Sequence, residues 1–191
     1  MSKIWLTSDL HLLHDREFIW GPRGYNSVDE MNTVSITNHN SVVNPEDEVY
    51  ILGDLALGGA GEAVLAQAEE YIESLNGKLH IILGNHDTPR RIAMYAKCKN
   101  VVDIKYADML HYRGYHFYLS HFPTLTGNLE KESLKQCTIN LFGHTHAKEK
   151  FFQDMPFMYN VAQDAHNNYP VLLDNVIEDM KQKVQECKEQ L

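Results

Sequence analysis

Five short segments of the sequence place Asp, Asn and His residues directly behind apolar runs. They read Asp9-Leu10-His11, Gly53-Asp54, Gly84-Asn85-His86-Asp87, Ser120-His121 and Gly143-His144-Thr145-His146. Imidazole and carboxylate ligands without thiolates suit divalent ions such as Mn, Fe, Zn, Co or Ni. The set is too large for one tetrahedral zinc site, and it leaves two ions with open positions for water and substrate. These residue types therefore indicate a metal centre.

Each segment is a weak signal when it is considered alone. Gly-Asp is an ordinary turn, and a single histidine after a strand is more often a hydrogen-bonded structural residue than a ligand. Gly84-Asn85-His86-Asp87 is more specific, because a tight turn after a buried strand need not be so polar. In Gly143-His144-Thr145-His146, the His-x-His spacing can direct two imidazoles at neighbouring ions. The joint pattern favours a functional site over five separate structural coincidences.

The apolar runs before these segments have the composition of buried strands. They are Ile4–Thr7, Val49–Leu52, Leu79–Leu83, His116–Leu119 and Ile139–Phe142, and a sixth run is Phe157–Val161. They are rich in Ile, Val, Leu, Phe and Tyr and almost continuous, as expected for strands that are covered on both faces. Ligands of α/β sheets bind at the C-terminal ends of the strands. We therefore expect the five segments to meet at one edge of a sheet.

Helical patterns lie between some of these strands. Ser27-Val28-Asp29-Glu30 fits a capping box that opens a helix towards Val42. Glu62–Leu75 carries one apolar stripe, and Thr88-Pro89 is typical of a helix start. The tail from Val176 repeats apolar residues at helical spacing, which we interpret as core packing.

A turn at Tyr112-Arg113-Gly114-Tyr115 predicts a hairpin within Met109–His121, so part of the sheet structure is antiparallel. We therefore predict an α/β fold, a four-layer α/β/β/α sandwich of two mixed sheets. The chain of 191 residues is about one domain long, and no linker or repeat divides it. We expect a single domain over residues 1–191.

Composition narrows the classes of function. A formal net charge of −9 argues against non-specific nucleic-acid binding, although bound cations would make the field inside the site positive. The N-terminal apolar run is too short for a signal peptide, and no run approaches the roughly 18 apolar residues that cross a bilayer. Cys98, Cys137 and Cys187 are widely spaced and odd in number. We expect a reduced, cytoplasmic protein without membrane attachment.

Taken in order, the five segments resemble the calcineurin-like metallophosphoesterase superfamily. Its pattern is D-x-H, G-D, G-N-H-[D/E], a lone H and G-H-x-H, and every element stands here without substitution between Asp9 and His146. The extended opening D-x-H-x-x-H and the late segment N-V-x-x-D-A-H-N, which begins at Asn160, are similar to small single-domain phosphoesterases of bacteria and phages. The resemblance implies a metallophosphoesterase-like fold.

The resemblance also implies a role for each matching residue. The ligands of a first metal would be Asp9, His11 and His146, with Asp54 bridging to a second metal. The remaining ligands of the second metal would be Asn85, His121 and His144. His86 resembles the family histidine that meets the substrate phosphate or leaving group, and Asp87 the carboxylate that orients its ring.

Two further histidines and four arginines lie near the motifs. His14 and His166 are candidate substrate contacts, because binding residues often sit on such loops. The nearest cations are Arg16, Arg23, Arg90 and Arg91. Arginine suits bidentate contacts to phosphate, whereas an exposed arginine without a ligand is the ordinary alternative.

The implied function is hydrolysis of a small phosphodiester by a hydroxide held between two divalent metal ions, with Mn the first choice. A phosphomonoesterase acting on nucleotides or proteins is the alternative, because the two-metal core looks the same in both. A nuclease fits the acidic balance and the lack of a basic tract less well. A non-catalytic binding scaffold would lack metal ligands or the His86 position, and this chain keeps them. The expected partner is a small phosphate ester, and the sequence predicts no oligomeric state.

Overall fold

In the computed structural model of the protein, residues 2–59, 61–126 and 133–189 are described. In chain order the strands are β1 (Ile4–Thr7), β2 (Glu48–Leu52), β3 (Lys78–Ile82), β4 (Val101–Lys105), β5 (Ala107–Tyr112), β6 (Tyr115–Ser120), β7 (Thr138–Phe142), β8 (Met158–Asn160) and β9 (Val171–Leu172). The α-helices are α1 (Glu17–Trp20), α2 (Val28–Val42), α3 (Glu62–Glu73), α4 (Pro89–Tyr95) and α5 (Leu173–Glu189). None of these helices is long and apolar enough to span a membrane.

The strands form two mixed sheets. The first has the order β4-β3-β2-β1-β9, in which β1 to β4 are parallel and β9 is antiparallel to β1. The second has the order β5-β6-β7-β8, in which β5 and β6 form an antiparallel hairpin and β6, β7 and β8 are parallel. The predicted α/β fold with two mixed sheets is confirmed.

Two apolar cores hold the layers together. One lies between the first sheet and α2, α3 and α4, where Ile51, Ile72 and Tyr95 are fully buried. The other joins the inner faces of both sheets to α5 and includes Leu6, Leu52, Ile82, Phe117, Leu119, Ile139, Leu141, Val176, Ile177 and Met180. Most strand residues are therefore covered on both faces, which explains why the strands appear in the sequence as almost continuous apolar runs.

The helix start predicted at Ser27 and the predicted hairpin turn are both confirmed. The Glu30 backbone N–H donates to Ser27 Oγ at 3.1 Å, so Ser27 is the N-cap of α2. The Glu30 carboxylate accepts from the Asn26 N–H at 2.7 Å, one residue earlier than a standard capping box. Tyr112 pairs with Tyr115 across the predicted hairpin turn.

Three short elements were not predicted from the sequence. β4 is an edge strand whose burial is incomplete, so its sequence Val-Val-Asp-Ile-Lys lacks the apolar continuity of the central strands. β9 has only two residues, and α1 is a single turn. None of these is long enough, or buried enough, to leave a periodic pattern.

The five polar segments follow β1, β2, β3, β6 and β7, as predicted. They do not lie along one sheet, however. Three follow parallel strands of the first sheet and two follow parallel strands of the second, so the functional residues meet where the C-terminal ends of the two sheets adjoin. The site is therefore assembled across the inter-sheet core.

A buried carboxylate, Asp47, fixes the opposite end of the first sheet. It is 2% exposed and accepts hydrogen bonds from Lys3 N at 2.7 Å, Trp5 Nε1 at 3.0 Å and Asn44 N at 3.0 Å. Burial alone would raise the pKa of Asp47, but these hydrogen bonds outweigh it and hold the pKa below its ordinary value. The ionised group therefore stabilises the start of β1.

We expect Asp47→Asn to lower the free energy of unfolding by about 1–3 kcal/mol at pH 7, because an amide cannot accept from all three donors. Since the folded-state pKa is depressed, this stabilisation is present above the unfolded pKa of about 3.9 and is lost as the pH falls through the folded value. Urea unfolding at pH 7 and at about pH 3 measures the difference, with the exposed Glu46→Gln as the control. A difference between wild type and variant that is unchanged by acid would contradict this account.

Candidate metal centre

The loops after β1 and β2 run side by side into the site. The Asp9 N–H donates to Gly53 O at 3.0 Å, and the His11 N–H donates to Asp54 O at 3.0 Å. The parallel pairing of the two strands thus continues into the segments that carry both carboxylates. This pairing positions Asp9 and Asp54 relative to each other before any side chain is considered.

The backbone of these loops is left-handed at the candidate ligands. Positive φ angles occur at Asp9 (56°), His11 (51°), Asp54 (52°), His144 (69°) and His146 (49°). Non-glycine residues pay roughly 1–2 kcal/mol each for this conformation. Such strain persists only where the surrounding structure over-determines it, and it is typical of functional sites.

The glycines of two motifs, Gly84 and Gly143, permit close approach to the carboxylates. A Cβ on Gly84 would collide with the Asp54 side chain and come within 2.7 Å of its backbone nitrogen. A Cβ on Gly143 would collide with Ser8 Oγ and with Asp9 Oδ2. The Gly-Asn-His-Asp and Gly-His-x-His motifs therefore need glycine because a neighbouring loop occupies the space of its side chain.

The first group of candidate ligands surrounds Asp9. Its Oδ1 lies 3.7 Å from His11 Nε2 and 3.8 Å from His146 Nε2. Asp9 is 0% exposed and His11 is 1% exposed. Neither Asp9 Oδ1 nor His11 Nε2 has a hydrogen-bond partner among the described residues. Buried polar atoms without partners are costly, so this gap fits a cation.

The second group surrounds His121. Its Nδ1 lies 2.8 Å from Leu52 O and must donate to that carbonyl, which leaves Nε2 with a free lone pair in the neutral ring. Nε2 then faces Asn85 Oδ1 at 2.9 Å, His144 Nδ1 at 3.2 Å and Asp54 Oδ2 at 3.5 Å. Because the facing oxygens are acceptors as well, the geometry again fits a positive ion.

Asp54 stands between the two groups. Its Oδ2 lies 3.5 Å from His121 Nε2 and 4.0 Å from His11 Nε2, while its Oδ1 accepts from the His86 N–H at 3.0 Å. The triads Asp9, His11, His146 and Asp9, Asp54, His121 each bring their ligand atoms within 4.8 Å of one another. The described residues can thus hold metal, and Asp9 is the residue common to both triads.

The protonation states suit metal binding. Burial would raise the pKa of Asp9, but the neighbouring histidines outweigh it and lower the pKa, so the carboxylate is ionised. Burial lowers the pKa of His11 and of His144, so both imidazoles are neutral at neutral pH. Metal ligands must be deprotonated, and the protein environment favours that condition at Asp9, His11 and His144.

His86 and Asp87 lie on the turn after β3. The His86 ring is 47% exposed, and its Nε2 lies 4.0 Å from Asp54 Oδ2. The Asp87 carboxylate accepts from Gly84 N at 2.7 Å, Asp54 N at 3.2 Å and the Tyr95 hydroxyl at 2.7 Å. Among the described residues no hydrogen bond joins Asp87 to the His86 ring, in contrast to the expected orienting contact. Asp87 instead holds the backbone of two ligand loops.

Comparison with known sequences identifies the family of the chain. Residues 3–161 match the family described as the calcineurin-like phosphoesterase superfamily domain, which spans both halves of the site. The chain belongs to this superfamily. The recognition of the family from its motifs is therefore confirmed, and the chain is a metal-dependent phosphoric ester hydrolase.

Relatives of this phosphoesterase occur in archaea and phages. An uncharacterised protein of Methanocaldococcus jannaschii is 32% identical over 183 residues, covering 93% of this chain and 90% of that protein. The Gene 66 protein of Mycobacterium phage D29 is 28% identical over 169 residues, covering 78% and 80%. A solved protein of unknown function from Aquifex aeolicus shares the fold, with a TM-score of 0.69, 19% identity and coverage of 93% and 99%.

An ion pair behind the phosphoesterase motifs was missed by the sequence analysis. Arg23, whose side chain is 1% exposed, donates from Nε and Nη2 to Asp164 at 3.0 Å and 2.8 Å. Arg23 Nη2 also donates to Asp9 O at 2.7 Å, and Asp164 Oδ2 lies 3.2 Å from His146 Nδ1. The pair therefore touches a residue of the D-x-H motif and a residue of the G-H-x-H motif.

This pair fixes the His146 ring. When Asp164 accepts from Nδ1, the tautomer leaves the Nε2 lone pair directed towards Asp9 Oδ1. Burial disfavours protonation of His146, but Asp164 outweighs it and raises the pKa of the ring. Burial opposes ionisation of Asp164, whereas His146 and Arg23 hold its pKa far below the ordinary value. The late N-V-x-x-D-A-H-N segment contained this signal, because its Asp is Asp164.

The two candidate substrate histidines lie in different places. His14 stacks on His11 with ring centroids 5.2 Å apart, and it borders an open cleft together with His86. His166 lies 2.8 Å from Asn160 O through Nε2 and stacks on Tyr159. It borders a separate cavity with Trp5, and none of its described contacts reaches the candidate ligands. The structure therefore brings His14, but not His166, to the metal centre.

We expect Asp164→Asn and Arg23→Met each to lower the free energy of unfolding by about 3–5 kcal/mol, because each leaves an unpaired buried charge. The double variant should cost less than the sum of the two single changes. Asp164→Asn should also weaken divalent-ion affinity by about 10–100-fold through the freed His146 ring. Urea unfolding and calorimetric metal titration measure both effects, with the largely exposed Arg113→Gln as the control.

Additive losses in the double variant, or an unchanged metal affinity in Asp164→Asn, would contradict the assigned contact. The metal titration separates the two effects, since a purely structural pair would alter stability without changing the affinity of the folded protein for the ion.

Proposed function

We propose that this phosphoesterase holds two divalent metal ions and hydrolyses a small phosphodiester. Asp9, His11 and His146 would bind one ion, Asn85, His121 and His144 the other, and Asp54 would bridge them. Mn is the proposed native metal, given the imidazole and carboxylate ligands. The proposal extends to one domain over the whole chain and a cytoplasmic location, as predicted from the sequence.

One observation carries the proposal: the Asp54 carboxylate lies between two separate groups of candidate ligands. The same Oδ2 is 3.5 Å from His121 Nε2 and 4.0 Å from His11 Nε2. With Asp9, it gives two buried carboxylates and no lysine or arginine side chain bonded to either among the described residues. A single dication would leave one of these groups unsatisfied, whereas two would satisfy both.

When bound, two such ions supply a nucleophile from water at neutral pH and neutralise charge on the phosphoryl group. The protein's own residues do the remainder. Backbone bonds from Asp9 to Gly53 and from His11 to Asp54 hold the ligand loops in place, and the Asp87 carboxylate accepts from the Asp54 N–H, so no reorganisation is required during the reaction. His86, on an exposed turn beside Asp54, can give a proton to the departing alkoxide.

A diester is favoured because two different surfaces of the described residues border the site. One side is the cleft that contains His14 and His86. On the other side Phe122, which is 49% exposed, contacts the rings of His121 and His144. A phosphoryl group at the centre could therefore carry a substituent in each direction. A monoester would leave one of these surfaces without a contact, and the comparison of ester classes below separates the two.

We expect elemental analysis to find two divalent ions per chain, and chelation to abolish turnover until Mn²⁺ or another first-row ion is restored. Asp54→Asn should lose more turnover than His11→Ala or His14→Ala, because it removes charge from both halves of the site. Two tightly bound ions with normal turnover in Asp54→Asn would contradict the bridging assignment. Full activity in demonstrably metal-free protein would contradict the proposed chemistry altogether.

The proton-donor role of His86 predicts selective losses. An alkyl or nucleoside alkoxide leaves poorly without a proton, whereas nitrophenolate leaves readily. We expect His86→Asn to lower kcat/KM for an alkyl or nucleoside ester by about 10²–10⁴-fold, and for a nitrophenyl ester by much less. Metal content should stay near that of the wild type. Kinetics on matched mono- and diesters of both types measure these losses and the preferred ester class.

Asp87→Asn is the informative companion variant. Because Asp87 bonds the backbone of Gly84 and Asp54 rather than the His86 ring, we expect it to lower both ester rates by a similar factor. Equal losses for both esters in His86→Asn would mean that His86 binds the phosphate and does not protonate the leaving group.

A further inference from the structure

An open cleft adjoins the metal centre on the side of His86. It has a volume of about 460 Å³, within the range of small-molecule sites, and its lining includes His14, Asp15, Arg16, Gly58, His86 and Arg91. Because the proton donor proposed above lies at this cleft, a departing alcohol that takes its proton from His86 is released here. The cleft is thus the site of the leaving group, and this assignment rests on the proposed function.

The cleft carries positive charge in an otherwise acidic chain. Arg91 donates to three backbone carbonyls, those of His86, Leu57 and Gly58, each at 2.7 Å. No carboxylate within the described residues pairs with it. Its guanidinium is therefore held rigidly in the cleft wall with its charge uncompensated. Because the chain as a whole carries a net charge of −9, the positive charge at this cleft is a local feature of the surface.

Arg16 adds a second charge that is not used within the described structure. Its side chain is exposed, and its guanidinium has no hydrogen bond or ion pair among the described residues. Asp15 is the one carboxylate in the cleft lining, so two arginines face one acid. Arginine can bind a carboxylate or phosphate through two parallel hydrogen bonds, and an exposed side chain can turn to do so.

Two glycines, Gly58 and Gly59, lie in the cleft lining. Gly58 packs so closely that a Cβ would lie 2.5 Å from Val64 Cγ1 and 2.9 Å from Leu13 Cβ. A Cβ on Gly59 would meet only Val64 Cγ2, at 3.9 Å. Gly58 and Gly59 therefore contribute only backbone to the cleft wall, and the volume of about 460 Å³ can admit a group larger than a single oxyanion.

We propose that the cleft binds a leaving group that carries its own anion, a carboxylate or a phosphate, and that Arg16 contacts this anion. The substrate class is then a phosphodiester in which the departing alcohol is itself charged. Arg91 contributes through its fixed field, whereas Arg16 contributes a direct contact. The departing oxygen takes its proton from His86, and the anion stays on the alcohol product, so the reaction gains no further step.

The kinetic test uses two methyl aryl phosphates that differ only in the charge of the leaving group. The leaving groups are 3-hydroxybenzoate and its neutral isostere 3-hydroxybenzamide. In Mn-loaded wild type we expect kcat/KM to be about fivefold higher for the carboxylate, the upper range of a single exposed ion pair. This ratio should fall towards one in Arg16→Gln and at high salt, and it should largely persist in Arg16→Lys. Lys188→Gln, a charge change on α5, is the matched control.

A binding test separates failure of this inference from failure of the proposed function. In the Zn-loaded full chain, 3-hydroxybenzoate should shift the backbone amide signals of Gly58 and Gly59 in NMR spectra, and 3-hydroxybenzamide should not. Arg16→Gln should abolish the shifts. If no ester is turned over but these shifts appear, the proposed chemistry fails and the anion site stands. Equal kcat/KM values for both esters in wild type, or a preference and shifts unchanged in Arg16→Gln, would overturn the inference.

Discussion

Two buried carboxylates that face imidazole nitrogens are the constraint on which the rest of the site depends. Asp9 and Asp54 are 0% and 2% exposed. Asp9 Oδ1 faces His11 Nε2, and Asp54 Oδ2 faces His121 Nε2. An arrangement of acceptors around acceptors is unstable without positive charge. Among the described residues no lysine or arginine side chain supplies it, because Arg23 reaches the Asp9 backbone and not its carboxylate. The inward-facing groups therefore have to be held in place by contacts on their outer sides.

Those outer contacts come from the backbone. Asp9 Oδ2 accepts from the His144 N–H at 2.8 Å, and Asp54 Oδ1 accepts from the His86 N–H at 3.0 Å, so each carboxylate has one oxygen fixed and one free. Each bond joins loops that are distant in sequence, and in the first case loops from different sheets. The left-handed residues and the close-packed glycines are consequences, because only tight turns bring those N–H groups close enough. The inter-sheet core thus stabilises a strained site that could not form on either sheet alone.

The extent to which sequence predicts this structure follows from the same physics. Long buried strands and the ligand motifs after them leave strong local patterns, and the two mixed sheets and the superfamily follow from those patterns. Short or half-buried elements such as β4 and β9 leave weak ones. The pairing of Arg23 with Asp164 joins residues 141 positions apart, and nothing local in either segment specifies the other. Asp87 is a different case, because the motif predicts its position but not its partners. Those partners are Tyr95 and two backbone N–H groups, and they depend on how α4 packs.

The contacts of Asp87 determine how the neighbouring His86 is held. Both Asp87 oxygens are occupied, so Asp87 does not hold the His86 ring. The His86 backbone is nevertheless fixed on both sides, because its N–H donates to Asp54 and its carbonyl accepts from Arg91 at 2.7 Å. A residue with a rigid backbone and a half-exposed ring can rotate about its side-chain torsions while its Cα stays beside the bridging carboxylate. The ring can then follow a departing oxygen into the cleft. Arg91 links these properties, because the guanidinium that anchors His86 is also the one that makes the cleft positive.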